Sequence, residues 1–239
     1  MVRTRAVFPV FRDEVSRTPV RTLLAVDTPQ TLIDLDAVSV RAGSVHILRD
    51  VALEVTAGEA VGVFGANGAG KTTLLRLLAT LVPPSAGTAT ILGARRDREE
   101  RYDVRPRIGY VGHVPGLYPE MTLAENLAFT ADARGIDREA GRDALERVGL
   151  GGAADRLADR CSHGMQRRAE FARVLMTQPD LLLLDEPHSA LDGDAVDLVE
   201  ALVARTSANG GAAILVSHDR RRVASMATRT VEIARGTIT

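Results

Sequence analysis

The chain has 239 residues, 45% of them hydrophobic, and sets thirty basic against thirty-one acidic side chains for a formal net charge of −1. That length can bury one large core, or one core with a small subdomain, without covalent staples, and the even charge offers no global reason to expect nucleic-acid binding. A single cysteine, Cys161, excludes an intramolecular disulfide framework, and no apolar stretch approaches the roughly 20 residues that cross a bilayer, so any membrane role has to run through a partner.

Residues 1–30 carry Arg3, Arg5, Arg12, Arg17 and Arg21 among prolines, show no sustained period and are expected to form a poorly ordered tail. The rest, 31–239, reads as one domain. Thr31 to Val40 alternates apolar and polar residues, and Val51 to Val55 follows beyond a Gly-containing turn; both suit half-buried antiparallel strands. Ala60 to Phe64 is a short apolar run suited to a buried strand, and Thr73 to Ala79 is rich in strong helix formers.

Between those two elements lies Gly65-Ala66-Asn67-Gly68-Ala69-Gly70-Lys71-Thr72, which spells the G-x-x-x-x-G-K-[ST] phosphate loop. Its glycines allow a tight turn that aims successive N–H groups and a helix N-terminus at the β- and γ-phosphates. Lys71 adds a point charge there, and the Thr72 hydroxyl is a candidate Mg²⁺ ligand. Lys71 is also the only lysine in the chain, every other basic residue being arginine. A compact ammonium that must fit inside a phosphate cradle is a position where Arg is no substitute.

Pro83-Pro84-Ser85-Ala86-Gly87 stops the helix, and Thr88 to Leu92 reads as a further strand. The Arg/Asp/Glu-rich span Arg95 to Arg105 is expected to be solvated surface. After a strand at Ile108 to Val111 the character turns helical, with Leu123 to Ala133, Arg138 to Val148 and Met165 to Met176 forming a block, roughly 115–178, that interrupts the strand series. Leu181 to Leu184 and Ala212 to Val216 then read as fully buried strands flanking a helix from Ala195 to Ala204, and Thr230 to Ala234 closes the series. The expected class is α/β: a mainly parallel sheet with an antiparallel portion and an inserted helical subdomain.

Chemistry concentrates at strand ends. Asp185 and Glu186 follow an apolar strand, the arrangement that sets one acid on Mg²⁺ and the other beside an attacking water as general base. His218, just past the next strand, should emerge on the same sheet edge and reach a γ-phosphate oxygen. The predicted catalytic set is therefore Lys71, Glu186 and His218, with Thr72 and Asp185 on the metal.

In their order these motifs resemble the ABC ATPase family from about Leu32 onward. Gly65 to Thr72 is similar to its Walker A motif, Leu181 to Glu186 to Walker B, Ser189 to Asp192 to the D-loop and His218 to the switch histidine. Cys161-Ser162-His163-Gly164-Met165 stands where the LSGGQ signature falls, with Ser162 and Gly164 kept and Cys161, His163 and Met165 in place of Leu, Gly and Gln. The resemblance implies a P-loop NTPase that binds ATP and Mg²⁺ through Gly65 to Thr73. It also implies a head-to-tail dimer with a second ATP-binding subunit, in which Ser162 and Gly164 complete the opposite site, beneath a polytopic membrane permease. Ser162 is equally suited to N-cap the helix that begins near Gly164, and His163 fits only if the backbone there avoids positive φ.

Gly112-His113 stands near the family's Q-loop glutamine, and no adenine-stacking aromatic is evident around Val40 to Ser44. The stretch Tyr110 to Tyr118, continued by Glu120 to Leu127, resembles the haem-exporter or cytochrome c maturation (CcmA-type) ATP-binding subunits. Drug- and lipid-export subunits share its Thr-Leu-x-Glu-Asn-Leu part. A cytoplasmic protein bound peripherally to the membrane through its partners is the implied location. A soluble ABC protein acting on ribosomes or DNA and a regulatory nucleotide binder are the other classes.

Overall fold

The computed structural model describes residues 30–188 and 193–239, so the tail expected at 1–30 and the D-loop at 189–192 fall wholly or almost wholly outside the described residues. Two sheets organise the described residues. The first is antiparallel and joins β1 (Thr31–Ala42), β2 (Val45–Thr56), β4 (Ala86–Ile91) and β5 (Ala94–Arg95) in the order β2-β1-β4-β5. The second contains β3 (Ala60–Phe64), β6 (Ile108–Val111), β7 (Leu181–Asp185), β8 (Ala212–Val216), β9 (Arg229–Ala234) and β10 (Thr237–Ile238), ordered β10-β9-β3-β8-β7-β6. Here β6, β7, β8, β3 and β9 run parallel, and only β10 turns back.

The apolar runs of the parallel sheet divide by alternation. In β7, Leu181 and Leu183 enter the core beneath the antiparallel sheet, while Leu182 and Leu184 enter the core on the opposite face; in β8, Ile214 and Val216 oppose Ala213 and Leu215 in the same way. A run with no polar alternation is what a strand covered on both faces requires. One face is covered by α1 (Lys71–Leu78), which buries Leu74, Leu75, Leu77 and Leu78 against Ile33, Leu48 and Leu53. The other is covered by α2 (Leu123–Arg134), α3 (Glu139–Arg147), α4 (His163–Thr177) and α5 (Gly193–Ala208). A short α6 (Arg220–Met226) precedes β9.

Several details differ from expectation. Strands β1 and β2 each span 12 residues, longer than their alternating segments suggest. Shifts of register interrupt their pairing, and Ala37 and Asp50 adopt positive φ near these irregularities, which breaks the period-2 signal while the ladder continues. The span Arg95 to Arg105 is not uniformly solvated: Arg96 and Val104 are buried, Val104 against the first core. The helices α1, α4 and α5 start at Lys71, His163 and Gly193, each slightly before the expected position. Neither α6 nor β10 was foreseen, both being too short to establish a period.

Candidate functional site

Because β3, β6, β7 and β8 are parallel, their C-terminal ends share one edge, the edge at which open α/β sheets bind ligands. The loop after β3 curls into α1 through residues with positive φ at Gly65, Gly68 and Gly70. Two of these glycines also meet close neighbours. A Cβ at Gly65 would strike the Ile233 carbonyl, and one at Gly70 would lie 2.8 Å from Leu48 Cδ2 and 3.1 Å from the Ile47 carbonyl oxygen. The loop is thereby wedged between β2 and the β9–β10 hairpin. Gly236 ties the three together, its N–H donating to the Ala69 carbonyl and its carbonyl accepting from the Arg49 N–H.

Lys71 is buried and folds back over its own loop, donating from Nζ to the carbonyls of Gly65 at 2.7 Å and Ala66 at 2.9 Å. The contact curls the loop and leaves the ammonium at the cleft wall, within the lining that includes Asn67, Gly68, Gly70, Thr72 and Thr73. Thr72 Oγ1 donates to Asp185 Oδ2 at 2.9 Å, so a hydroxyl and a carboxylate that is only 2% exposed stand together as hard oxygen donors. Among the described residues no group of three or more His, Cys, Asp or Glu side chains forms a metal cage. A Mg²⁺ held by one or two protein oxygens, with phosphates and water completing its shell, fits that donor set.

Glu186 follows β7 with φ of 50°, a left-handed conformation uncommon outside glycine. Its N–H donates to the Val216 carbonyl at 2.8 Å. On its carboxylate, Oε2 accepts from Ser217 Oγ at 3.2 Å and the His218 N–H at 3.3 Å, and Oε1 is 3.3 Å from His218 Nε2. The β8 end thus holds Glu186 in place, and His218, with 61% of its side chain exposed, remains free to face a ligand. His113, from the end of β6, lines the same cleft of about 460 Å³ together with Ile47, Lys71, Asp185, Glu186 and His218.

Ser162 and Gly164 do not line this cleft. Ser162 caps α4, its hydroxyl accepting from the Met165 N–H at 3.3 Å. Neither His163 nor Gly164 has positive φ, so a side chain at 163 costs no backbone strain. Cys161 is buried among apolar residues, and burial raises its thiol above the usual range.

Sequence reasoning missed one arrangement. Arg167 and Glu170 of α4 form a buried pair beneath residues 112–116. Burial pushes the Glu170 carboxyl up, against the opposing pull of the Gly116 N–H and of Arg173 and Arg167. Arg167 and Glu170 sit three residues apart, a spacing common on exposed helices, and nothing in the local sequence marks them as interior.

This architecture, with a phosphate loop, a carboxylate pair and a histidine on one sheet edge, defines a P-loop ATPase with an inserted helical block. The ABC transporter family profile matches residues 48–189, and the chain belongs to the ABC transporter ATP-binding family, whose activity is ATP hydrolysis. It is 37% identical over 191 residues to the cytochrome c biogenesis ATP-binding export protein CcmA 2 of Cupriavidus metallidurans, covering 79% of this chain and 90% of that protein. It is also 37% identical over 203 residues to the lipoprotein-releasing system ATP-binding protein LolD 1 of Caulobacter vibrioides, covering 81% and 87% respectively. A dimeric post-hydrolysis structure of the ATP-binding cassette MJ0796, bound to ADP and Pi, superposes with a TM-score of 0.79 at 25% identity over 86% of this chain and 96% of that one. Among the described residues no helix is long and apolar enough to cross a membrane.

Proposed function

We infer that this chain is the ATP-hydrolysing subunit of an exporter, paired head to tail with a second ATP-binding subunit and docked at the cytoplasmic face of the membrane on a polytopic permease. The observation that carries the site reading is the single cleft shared by Lys71, Thr72, Asp185, Glu186 and His218. In this reading the amides of Gly65 to Thr73 and Lys71 hold the β- and γ-phosphates, and Thr72 and Asp185 hold Mg²⁺. Glu186 polarises the attacking water, and His218 contacts the γ-phosphate.

Ser162 and Gly164 serve the second subunit's nucleotide. Capping α4 does not consume Ser162 for that purpose, since its oxygen accepts from Met165 while the hydroxyl proton stays available to donate. Met165 and His163 leave the amides at the α4 N-terminus unaltered, and those amides are what favours an anion there. The dimeric cassette that this fold matches supports the pairing.

The cargo reading is haem export for cytochrome c maturation. It draws on the Gly112-His113-Val114-Pro115-Gly116 stretch, whose histidine lines the cleft, and on the cytochrome c biogenesis relative. The lipoprotein-releasing relative, equally identical, supports a second reading in which the cargo is a lipid-linked or other exported molecule. Deleting the gene and staining membranes for covalently bound haem tests the choice. Loss of c-type cytochromes, restored by wild-type protein but not by Glu186→Gln, is expected; a normal complement of them overturns the haem reading. Copurification of a polytopic membrane protein with the Glu186→Gln variant tests the transporter assignment in the same strain.

A further inference from the structure

The polar interior of the helical block is built around one helix holding one loop. Arg167 and Glu170 are 0% and 1% exposed, with Arg167 Nη1 3.1 Å from Glu170 Oε2. The same guanidinium donates from Nη1 to the Gly112 carbonyl and from Nη2 to the His113 carbonyl, the latter at 2.8 Å. Glu170 Oε1 accepts from the Gly116 N–H at 2.9 Å. Arg173 Nη2, 3.5 Å from that oxygen, donates to the Tyr110 carbonyl at 3.1 Å. Every loop partner is a backbone group. The path of residues 110–116 is therefore set from α4, and at its centre His113 lines the cleft with Lys71, Thr72 and Asp185.

Stability alone is a poor account of this pair. Buried ion pairs are commonly no better than apolar residues of the same volume, and Arg167 Nε is buried without a hydrogen-bond partner among the described residues. What the guanidinium supplies is a planar fork that reaches two successive carbonyls and a carboxylate together, which an ammonium cannot do in one position. The helix that carries it has Ser162 as its N-cap and Gly164 in its first turn, so the loop is bonded to the same helix as the signature residues.

We propose that Arg167 and Glu170 are positioning residues for ATP hydrolysis: a clamp on α4 that holds the 112–116 backbone and thereby presents His113 to the nucleotide cleft. The proposal rests on the reading of that cleft as the hydrolytic site. It separates binding from turnover, because the phosphate loop does not touch the clamp.

The test is the double variant Arg167→Met with Glu170→Leu, which removes both charges and keeps the volume, with its folding checked by circular dichroism. With ATP affinity within about twofold of wild type, kcat is expected to fall at least about tenfold, because small misplacements of an active-site group are costly. His113→Ala should lower kcat in the wild-type background and add nothing in the double variant. Wild-type kcat in the folded double variant overturns the proposal, and so does full additivity with His113→Ala. Arg167→Lys keeps the charge opposite Glu170 and loses the fork, so it gives the same test if the apolar pair does not fold: reduced kcat at unchanged ATP affinity is expected, and wild-type kcat overturns the clamp. Glu186→Gln, assayed alongside, distinguishes the two levels of failure. Normal hydrolysis by Glu186→Gln removes the reading of the cleft, whereas normal hydrolysis by the clamp variants alone removes only the clamp.

Discussion

Lys71 shows how much one side chain can be asked to do. Its ammonium holds two carbonyls of its own loop at 2.7 and 2.9 Å, so the cradle and the charge are one structure. Lys71→Ala should abolish ATP binding with the circular-dichroism spectrum unchanged, and Lys71→Arg should bind poorly because the guanidinium fork is too large for that curl. A fluorescent-nucleotide titration checks both. Glu186 lies at φ of 50°, a strain of about 1–3 kcal/mol that persists only where surrounding contacts over-determine it; here those contacts come from Val216, Ser217 and His218. His188, two residues on, has both ring nitrogens buried without a partner among the described residues. Burial lowers its pKa from the ordinary 6.5, as does Arg222, with Asp219 pulling the other way. The unfolded chain therefore takes up this proton at higher pH than the folded one. Stability should fall as pH drops below about 6.5 and level off below the depressed folded value. Urea midpoints between neutral and mildly acid pH, compared with His188→Phe, check the sign, since the variant should show a shallower decline.

At the scale of elements, motif residues that carry a family resemblance turn out to have plain structural duties. Thr122 and Glu125 form a reciprocal capping box at the start of α2, with bonds of 3.1 and 2.7 Å. The buried Asn126 binds the backbone of Tyr118, Met121 and Thr122 through both ends of its amide. The Thr-Leu-x-Glu-Asn-Leu run therefore starts a helix and pins the loop before it, whatever cargo the transporter moves. Thr122→Ala should lower stability by about 1 kcal/mol, or about 2–4 °C in melting temperature, while leaving ATP affinity unchanged. Thermal melts paired with the nucleotide titration measure both. The strands were readable for a related reason: β3, β7 and β8 are short apolar runs bounded by functional loops, and their full burial explains the absence of polar alternation. Strands β1 and β2 were readable only in part, because their bulges shift the period midway.

For the whole molecule, the shared-site reading makes the sharpest demand. The α4 N-terminus with Ser162 does not line the cleft of its own chain, so a role in hydrolysis requires a second subunit. Ser162→Arg should leave monomeric ATP binding nearly intact and collapse turnover. Mixed with Lys71→Ala subunits, which are inactive alone, it should recover part of the activity, because a head-to-tail heterodimer places both lesions in one site and leaves the other whole. Steady-state ATPase rates across mixing ratios measure this. A flat, inactive mixture would place Ser162 in a capping role only, where Ser162→Ala costs about 0.5 to 2 kcal/mol of stability and little turnover.

Sequence by itself determined the class of the fold and the residues at the strand ends. The phosphate loop, the Asp185–Glu186 pair and His218 each follow an apolar run, and parallel strands bring their ends to one edge. Those are local patterns, in which side-chain type and spacing carry the information. Only the tertiary structure decided what lies beneath the loop after β6. Arg167 and Glu170 have the residue types of a solvated helix face, and they are interior because α4 packs against β6 and residues 112–116, elements separated from them by some fifty positions of chain. Burial of a charged pair is a property of what covers it, and no window along the chain contains its cover.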